Sequence, residues 1–108
     1  MTALTNGHQL YQDKFGSAPQ FASQAPGRVE ILGNHTDYNG GYVLTIAIEN
    51  VIAFYGEPTT DNTVTVYSQA MDAQTSFSLS NLAHDPEHPW ADYIKGVLKE
   101  LQDHKIPF

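Results

Sequence analysis

Residues 27–41 read GRVEILGNHTDYNGG, and the fold of the chain turns on this stretch. Its first part, Arg28 to Leu32, has the short β-rich pattern of a strand, and a second such run begins at Tyr42. Between them stand Asn34, His35, Thr36, Asp37, Tyr38 and Asn39, followed by two glycines. Asn39-Gly40 is a hairpin signal, so one reading makes this a turn whose polar side chains are simply solvated. Three features favour a ligand. Arg28 is the only arginine in the chain, six residues before the polar cluster, on a strand that can aim it there. Asn34, His35 and Asp37 together offer donors and acceptors at the close spacing that vicinal sugar hydroxyls require. Gly27, Gly33, Gly40 and Gly41 leave room for a ligand to approach the backbone.

Working outward, Leu10, Tyr11 and Phe15 share one helical face, and Gly16, Ser17 and Pro19 end that segment, which predicts a helix over about Thr5 to Phe15. The middle reads as a β-meander: Phe21–Ser23, Arg28–Leu32, Tyr42–Ile48, Val51–Tyr55, Thr63–Tyr67 and Thr75–Leu79, punctuated by Pro26-Gly27, Asn39-Gly40-Gly41, Glu57-Pro58 and Asp61-Asn62. From Pro89 to His104 the helical period returns. Trp90, Tyr93, Ile94, Val97, Leu98 and Leu101 fall on one side, and Asp92, Lys95, Lys99, Glu100 and Asp103 on the other. The expected fold is α+β, a small mixed or antiparallel meander sheet flanked by amphipathic helices. The apolar end Ile106-Pro107-Phe108 and the unpaired strand edges predict that further polypeptide covers this unit.

The composition narrows the function. The 108 residues amount to one domain at most and are 41% apolar, as in a globular chain. A formal net charge of −7 argues against nucleic acid and anionic membrane as partners. Cysteine is absent, which removes disulfides and thiolate metal sites and points to the cytoplasm. No apolar run approaches the ~18 residues of a membrane span, and the first residues lack the pattern of a signal peptide.

Ala25-Pro26-Gly27-Arg28-Val29, then Leu32-Gly33, then His35-Thr36-Asp37-Tyr38-Asn39-Gly40-Gly41 and Val43-Leu44 resemble the galactokinase signature of the GHMP kinase superfamily. Trp90-Ala91-Asp92-Tyr93-Ile94-Lys95-Gly96-Val97 is similar to that family's first long helix, so the resemblance runs from the first helix to Phe108. It implies the GHMP kinase fold (ribosomal protein S5 domain 2-like) and phosphorylation of the anomeric hydroxyl of galactose by ATP with Mg2+. By the same resemblance Arg28 sits beside the reacting hydroxyl and stabilises the transition state, while Asn34, His35, Thr36 and Asp37 hold the sugar. Ser68 and Trp90 fall where the family lines its adenine pocket, although Trp90 also suits a core anchor of its helix. The partners implied are a sugar and ATP, and the intact protein is expected to be a monomer.

Two positions depart from the family pattern. Glu30 stands where an asparagine is usual and Asn34 where a glutamate is usual, so the carboxylate has in effect moved. In a strand Glu30 shares a face with Arg28 and could pair with it. Asn34 offers the sugar an uncharged acceptor and an added donor, which leaves open whether galactose or a related sugar is preferred. No Gly/Ser-rich phosphate loop occurs in the chain. The expectation is that residues 1–108 are the N-terminal sugar-recognition part of a galactokinase-like domain, that phosphate loop, catalytic aspartate and metal ligands follow Phe108, and that the chain alone is inactive. A non-catalytic sugar sensor on the same scaffold and a carbohydrate-binding module remain the alternatives.

Overall fold

The computed structural model describes residues 2–108, with side chains from Asn6 onward. The chain divides into two compact units, one ending at Pro58 and one beginning at Thr59. The first opens with α1 (Thr2–Phe15). Leu10, Tyr11 and Phe15 form its half-buried face, and the Tyr11 and Phe15 rings lie 4.7 Å apart. The helix stops where the sequence predicts: Gly16 adopts φ +79° and donates its N–H to Gln12 O at 2.9 Å, the left-handed cap that glycine makes most readily. α1 lies against the second strand so closely that a methyl group on Gly7 would sit 2.1 Å from a ring carbon of Tyr55. Burial, then the nearby Glu57 carboxylate, pushes the Tyr11 phenol above its ordinary pKa.

Strands β1 (Phe21–Leu32) and β2 (Leu44–Gly56) follow as one long antiparallel hairpin. The four short runs read from the sequence are therefore two strands. Pro26 cannot donate to the ladder, yet the strand passes through it, because the disturbance is absorbed as a bulge. The register steps from Pro26↔Val51 to Arg28↔Ala47, setting Gly27 opposite the stretch from Ile48 to Asn50. A second irregularity falls between Glu30 and Leu32, just before the polar loop.

In the second unit β3 (Thr63–Ser68) pairs antiparallel with β4 (Ala73–Ser78). Thr65 and Ser76 bond across the hairpin at 2.8 Å, and at its tip the Tyr67 hydroxyl donates to Asp72 Oδ1 at 2.8 Å. That bond to a carboxylate is the main reason the Tyr67 pKa is raised. A 3₁₀ turn (Pro89–Ala91) leads into α2 (Asp92–Asp103). The helix closes with paired bonds, Ile106 N to Leu101 O and Lys105 N to Gln102 O, both 2.9 Å, and Lys105 takes the left-handed position at φ +55°. This is the Schellman arrangement, with a lysine where glycine is favoured.

The α+β class is as expected, with the strands paired as two hairpins rather than threaded through one sheet. On α2 the faces differ from the expectation. Trp90, Ile94, Leu98 and Leu101 are half-buried, whereas Val97 and Tyr93 are exposed. Lys95, expected on the polar side, is only 6% exposed. Its long stem lies inside while its ammonium donates to Ala83 O at 2.9 Å and sits 5.2 Å from the centre of the Phe77 ring. Ala91 is the one fully buried apolar residue among those described, and the β1–β2 hairpin and α2 present apolar side chains outward. No helix among the described residues is long and apolar enough to cross a membrane.

Candidate functional site

The loop from Gly33 to Val43 joins β1 to β2, and its own polar groups hold it in shape. Gly33 sits at φ +103° and its carbonyl accepts the N–H groups of Thr36 (3.1 Å) and Asp37 (2.9 Å). Thr36 O in turn accepts from Asn39 N at 3.2 Å and Gly41 N at 2.7 Å. The Thr36 hydroxyl lies 2.8 Å from Tyr42 O and 3.1 Å from Gly33 O, so its single proton clasps the two ends of the loop. Asn39 Nδ2 donates to His35 O at 2.8 Å. His35 Nδ1 is 2.9 Å from the Tyr38 hydroxyl, and the two rings meet edge to face with centroids 6.2 Å apart.

Against that frame the sugar candidates separate into two groups. Thr36 and one ring nitrogen of His35 are committed inside the loop. The side chains of Asn34 and Asp37 make no hydrogen bond or ion pair among the described residues, and both are exposed. Arg28 lies on β1 opposite Ala47, exposed, and forms no ion pair with Glu30, so the pairing suggested by their shared face is not made. A guanidinium, a carboxylate and an amide thus stand free on the β1–loop segment of one unit. Such a set can meet several hydroxyls at once and supply a fixed positive charge.

Ser68 and Trp90 belong to the second unit. Ser68 ends β3, and its hydroxyl oxygen accepts from Met71 N at 3.4 Å. Trp90 is half-buried in the 3₁₀ turn, with the His88 ring edge-on at 6.1 Å. No hydrogen bond or ring contact joins the two among the described residues. Among those residues no cluster of three or more His, Asp or Glu could hold a metal ion, so none is assigned to Mg2+.

Tyr38 and Asn39, the supports of His35, stand in the polar run read from the sequence but carry no site role there; their i+3 and i+4 spacing from His35 is the signal that could have assigned one. Also unanticipated is the polar cluster around the start of α2. The Asp92 carboxylate meets His84 Nδ1 and lies 3.7 Å from Lys95 Nζ, while Asp85 holds His88 at 3.0 Å and accepts the Glu87 N–H at 2.9 Å. The His84 bond is the main cause that lowers the Asp92 pKa, and the Glu87 N–H followed by His88 lowers that of Asp85. These contacts tie the segment before the helix to its first turn.

Comparison with known proteins is consistent with this geometry. Residues 9–58, which contain α1's covered face, the long hairpin and its loop, match the family model described as the galactokinase galactose-binding signature. The signature lies on the long hairpin and its loop, and the fold is similar to that of a galactokinase of known structure. Over nearly its whole length the chain is similar to galactokinases. It is 38% identical over 103 residues to a galactokinase of Haemophilus influenzae (strain PittGG), covering 95% of this chain and 27% of that protein. It is 39% identical over 104 residues to a galactokinase of Staphylococcus carnosus (strain TM300), covering 93% and 26%. The crystal structure of Lactococcus lactis galactokinase complexed with galactose superposes with a TM-score of 0.76 at 26% identity, over 98% of this chain and 28% of that one. The chain spans about a quarter of the length of these relatives.

Proposed function

We propose that this chain is the sugar-holding part of a cytoplasmic, ATP-dependent galactokinase, a longer domain that phosphorylates the anomeric hydroxyl of galactose to give galactose 1-phosphate and ADP. The observation that carries the reading is a coincidence of place: the galactose-binding signature falls on the same exposed loop in which Asn34 and Asp37 stand uncommitted, after a strand bearing the free Arg28.

In this reading Asp37 accepts hydrogen bonds from adjacent sugar hydroxyls, the free nitrogen of His35 adds a directional contact, and Asn34 meets the remote hydroxyls with an amide. Thr36 serves by closing the loop that aims them. The anomeric oxygen attacks the γ-phosphorus of ATP, the bond to the β-phosphate oxygen breaks and ADP leaves. Arg28 offsets the negative charge that develops on the attacking oxygen and the transferring phosphoryl group. Mg2+, when bound, neutralises phosphate charge. Ser68 and Trp90 are the residues that would hold the adenine.

The test is made on the longer protein that this reading supposes, and pairs calorimetric titration of galactose and glucose with ADP release in the presence of Mg·ATP. Asp37→Ala is expected to impair galactose binding and turnover together, and Arg28→Ala to lower kcat far more than it weakens sugar binding. If Asp37→Ala leaves galactose affinity unchanged and Arg28→Ala raises only KM, the loop is not the sugar site.

A further inference from the structure

We infer that Tyr38 is a positioning residue: its hydroxyl fixes the ring and tautomer of His35 so that Nε2–H is the group His35 offers to a ligand. The inference rests on the sugar reading of the loop and deepens it.

Tyr38 is 74% exposed, so packing does not account for its place. What it does make is a 2.9 Å bond to His35 Nδ1 and an edge-to-face ring contact at 88°. One proton is shared in that bond, and it has two ways to lie. A phenol is the better acid and an imidazole nitrogen the better base, so the hydroxyl donates and Nδ1 accepts. In the neutral ring the remaining proton is then on Nε2, and His35 presents a donor. Asn39 Nδ2 holds the His35 carbonyl at 2.8 Å, which fixes the backbone from which the ring swings. A donor at His35 complements the acceptor at Asp37, two residues on. A sugar hydroxyl that donates to the carboxylate can accept from the imidazole, and one that does neither leaves both groups unpaired. This is the support that a histidine held in one tautomer commonly receives from its other nitrogen.

The test compares wild type with Tyr38→Phe, which keeps the ring and removes the oxygen, and with Asp37→Ala, in protein labelled with 15N. Histidine ring spectra without sugar are expected to show His35 with a pyridine-type Nδ1 and a pyrrole-type Nε2 in wild type, and a shift toward mixed tautomers in Tyr38→Phe with the backbone amide spectrum otherwise retained. The galactose Kd of Tyr38→Phe is expected to rise about 2- to 10-fold, as for one lost neutral hydrogen bond. A wild-type His35 protonated on Nδ1, or a ring spectrum that Tyr38→Phe does not move, overturns the positioning role. So does a galactose Kd that rises in Asp37→Ala and stays put in Tyr38→Phe. If neither variant changes the galactose Kd, the sugar reading itself fails and the inference falls with it.

Discussion

Replacing Gly33 by alanine separates two demands that the loop makes on its first residue. The backbone there sits at φ +103°, outside the space that L side chains favour, which costs alanine about 1–2 kcal/mol. Space is the second demand. A Cβ on Gly33 would lie 2.7 Å from Tyr42 O and 2.9 Å from both Val43 Cα and Cγ1. Two of these three atoms are backbone, so no change of rotamer relieves the contact and the two ends of the loop must move apart, an overpacking cost of about 1–3 kcal/mol. Gly40 is the matched control: φ is +73°, but nothing lies within 4 Å of where its Cβ would be. Gly33→Ala is therefore expected to cost about 2–5 kcal/mol and Gly40→Ala about 1–2. Urea titration followed by far-UV circular dichroism, with amide exchange across β1 and β2, reads the difference. Separating the loop ends also draws the Thr36 hydroxyl away from Tyr42 O, so galactose affinity should fall in Gly33→Ala more than in Gly40→Ala. Equal costs at the two glycines would refute the closed geometry at Gly33 and Tyr42.

Other positions give independent checks. Lys105→Gly places the favoured residue at the left-handed cap of α2 and should raise stability by about 1 kcal/mol, read as a higher urea midpoint at unchanged slope. Lys95→Met keeps the buried stem but strands Ala83 O and removes a charge partner of Asp92, and should destabilise the second unit by about 1–3 kcal/mol in amide exchange. Asp92 and Asp85 have folded pKa values below the ordinary carboxylate value, so the stability they lend is present above that value and is lost as pH falls through their lowered values. Acid should thus loosen residues 83–92 below about pH 4, and His84→Ala should bring the Asp92 carboxyl signal in a 13C NMR titration back toward the ordinary value.

The parts of the fold legible in the sequence are those fixed by neighbours in the chain. Gly16 ends α1 and Pro89 opens the last helical stretch because local backbone preference decides both. The Gly33–Gly41 loop is legible for the same reason: its polar run between two apolar alternations allows only a turn. Long-range pairing is not written so plainly. Pro26-Gly27 reads as a break, and only the partner strand, which sets Ile48 to Asn50 opposite Gly27, turns it into a bulge. Lys95 reads as solvated, since period alone cannot know that a carbonyl at Ala83 and the ring of Phe77 await its ammonium. Val97 and Leu98 are neighbours of similar character, and helical period alone does not tell that Leu98 is the one half-buried while Val97 is exposed. In the loop the residue types are legible as a binding set, whereas the split between those that build it and those left free is decided only by the folded backbone.

That split bears on how the loop can bind. A flexible Asn- and Asp-rich loop would lose conformational freedom on meeting a small polyol, a cost that a ligand with few atoms can hardly offset. Here Thr36, Tyr38, Asn39 and the Gly33 carbonyl consume their hydrogen-bonding capacity on the loop itself, and the ordering is done before a ligand arrives. On the sugar reading proposed above, Asn34 and Asp37 are presented from a backbone already fixed, so the energy of their contacts would go into discriminating one arrangement of hydroxyls from another. On that reading an amide rather than a carboxylate at position 34 would act on the discrimination and not on the frame, because the Asn34 side chain takes no part in closing the loop. In the longer protein that the proposed function supposes, Asn34→Glu is therefore expected to alter the ratio of kcat/KM values among galactose and its epimers while leaving the Thr36 and Tyr38 contacts in place. An unchanged ratio would mean that the amide faces solvent rather than sugar.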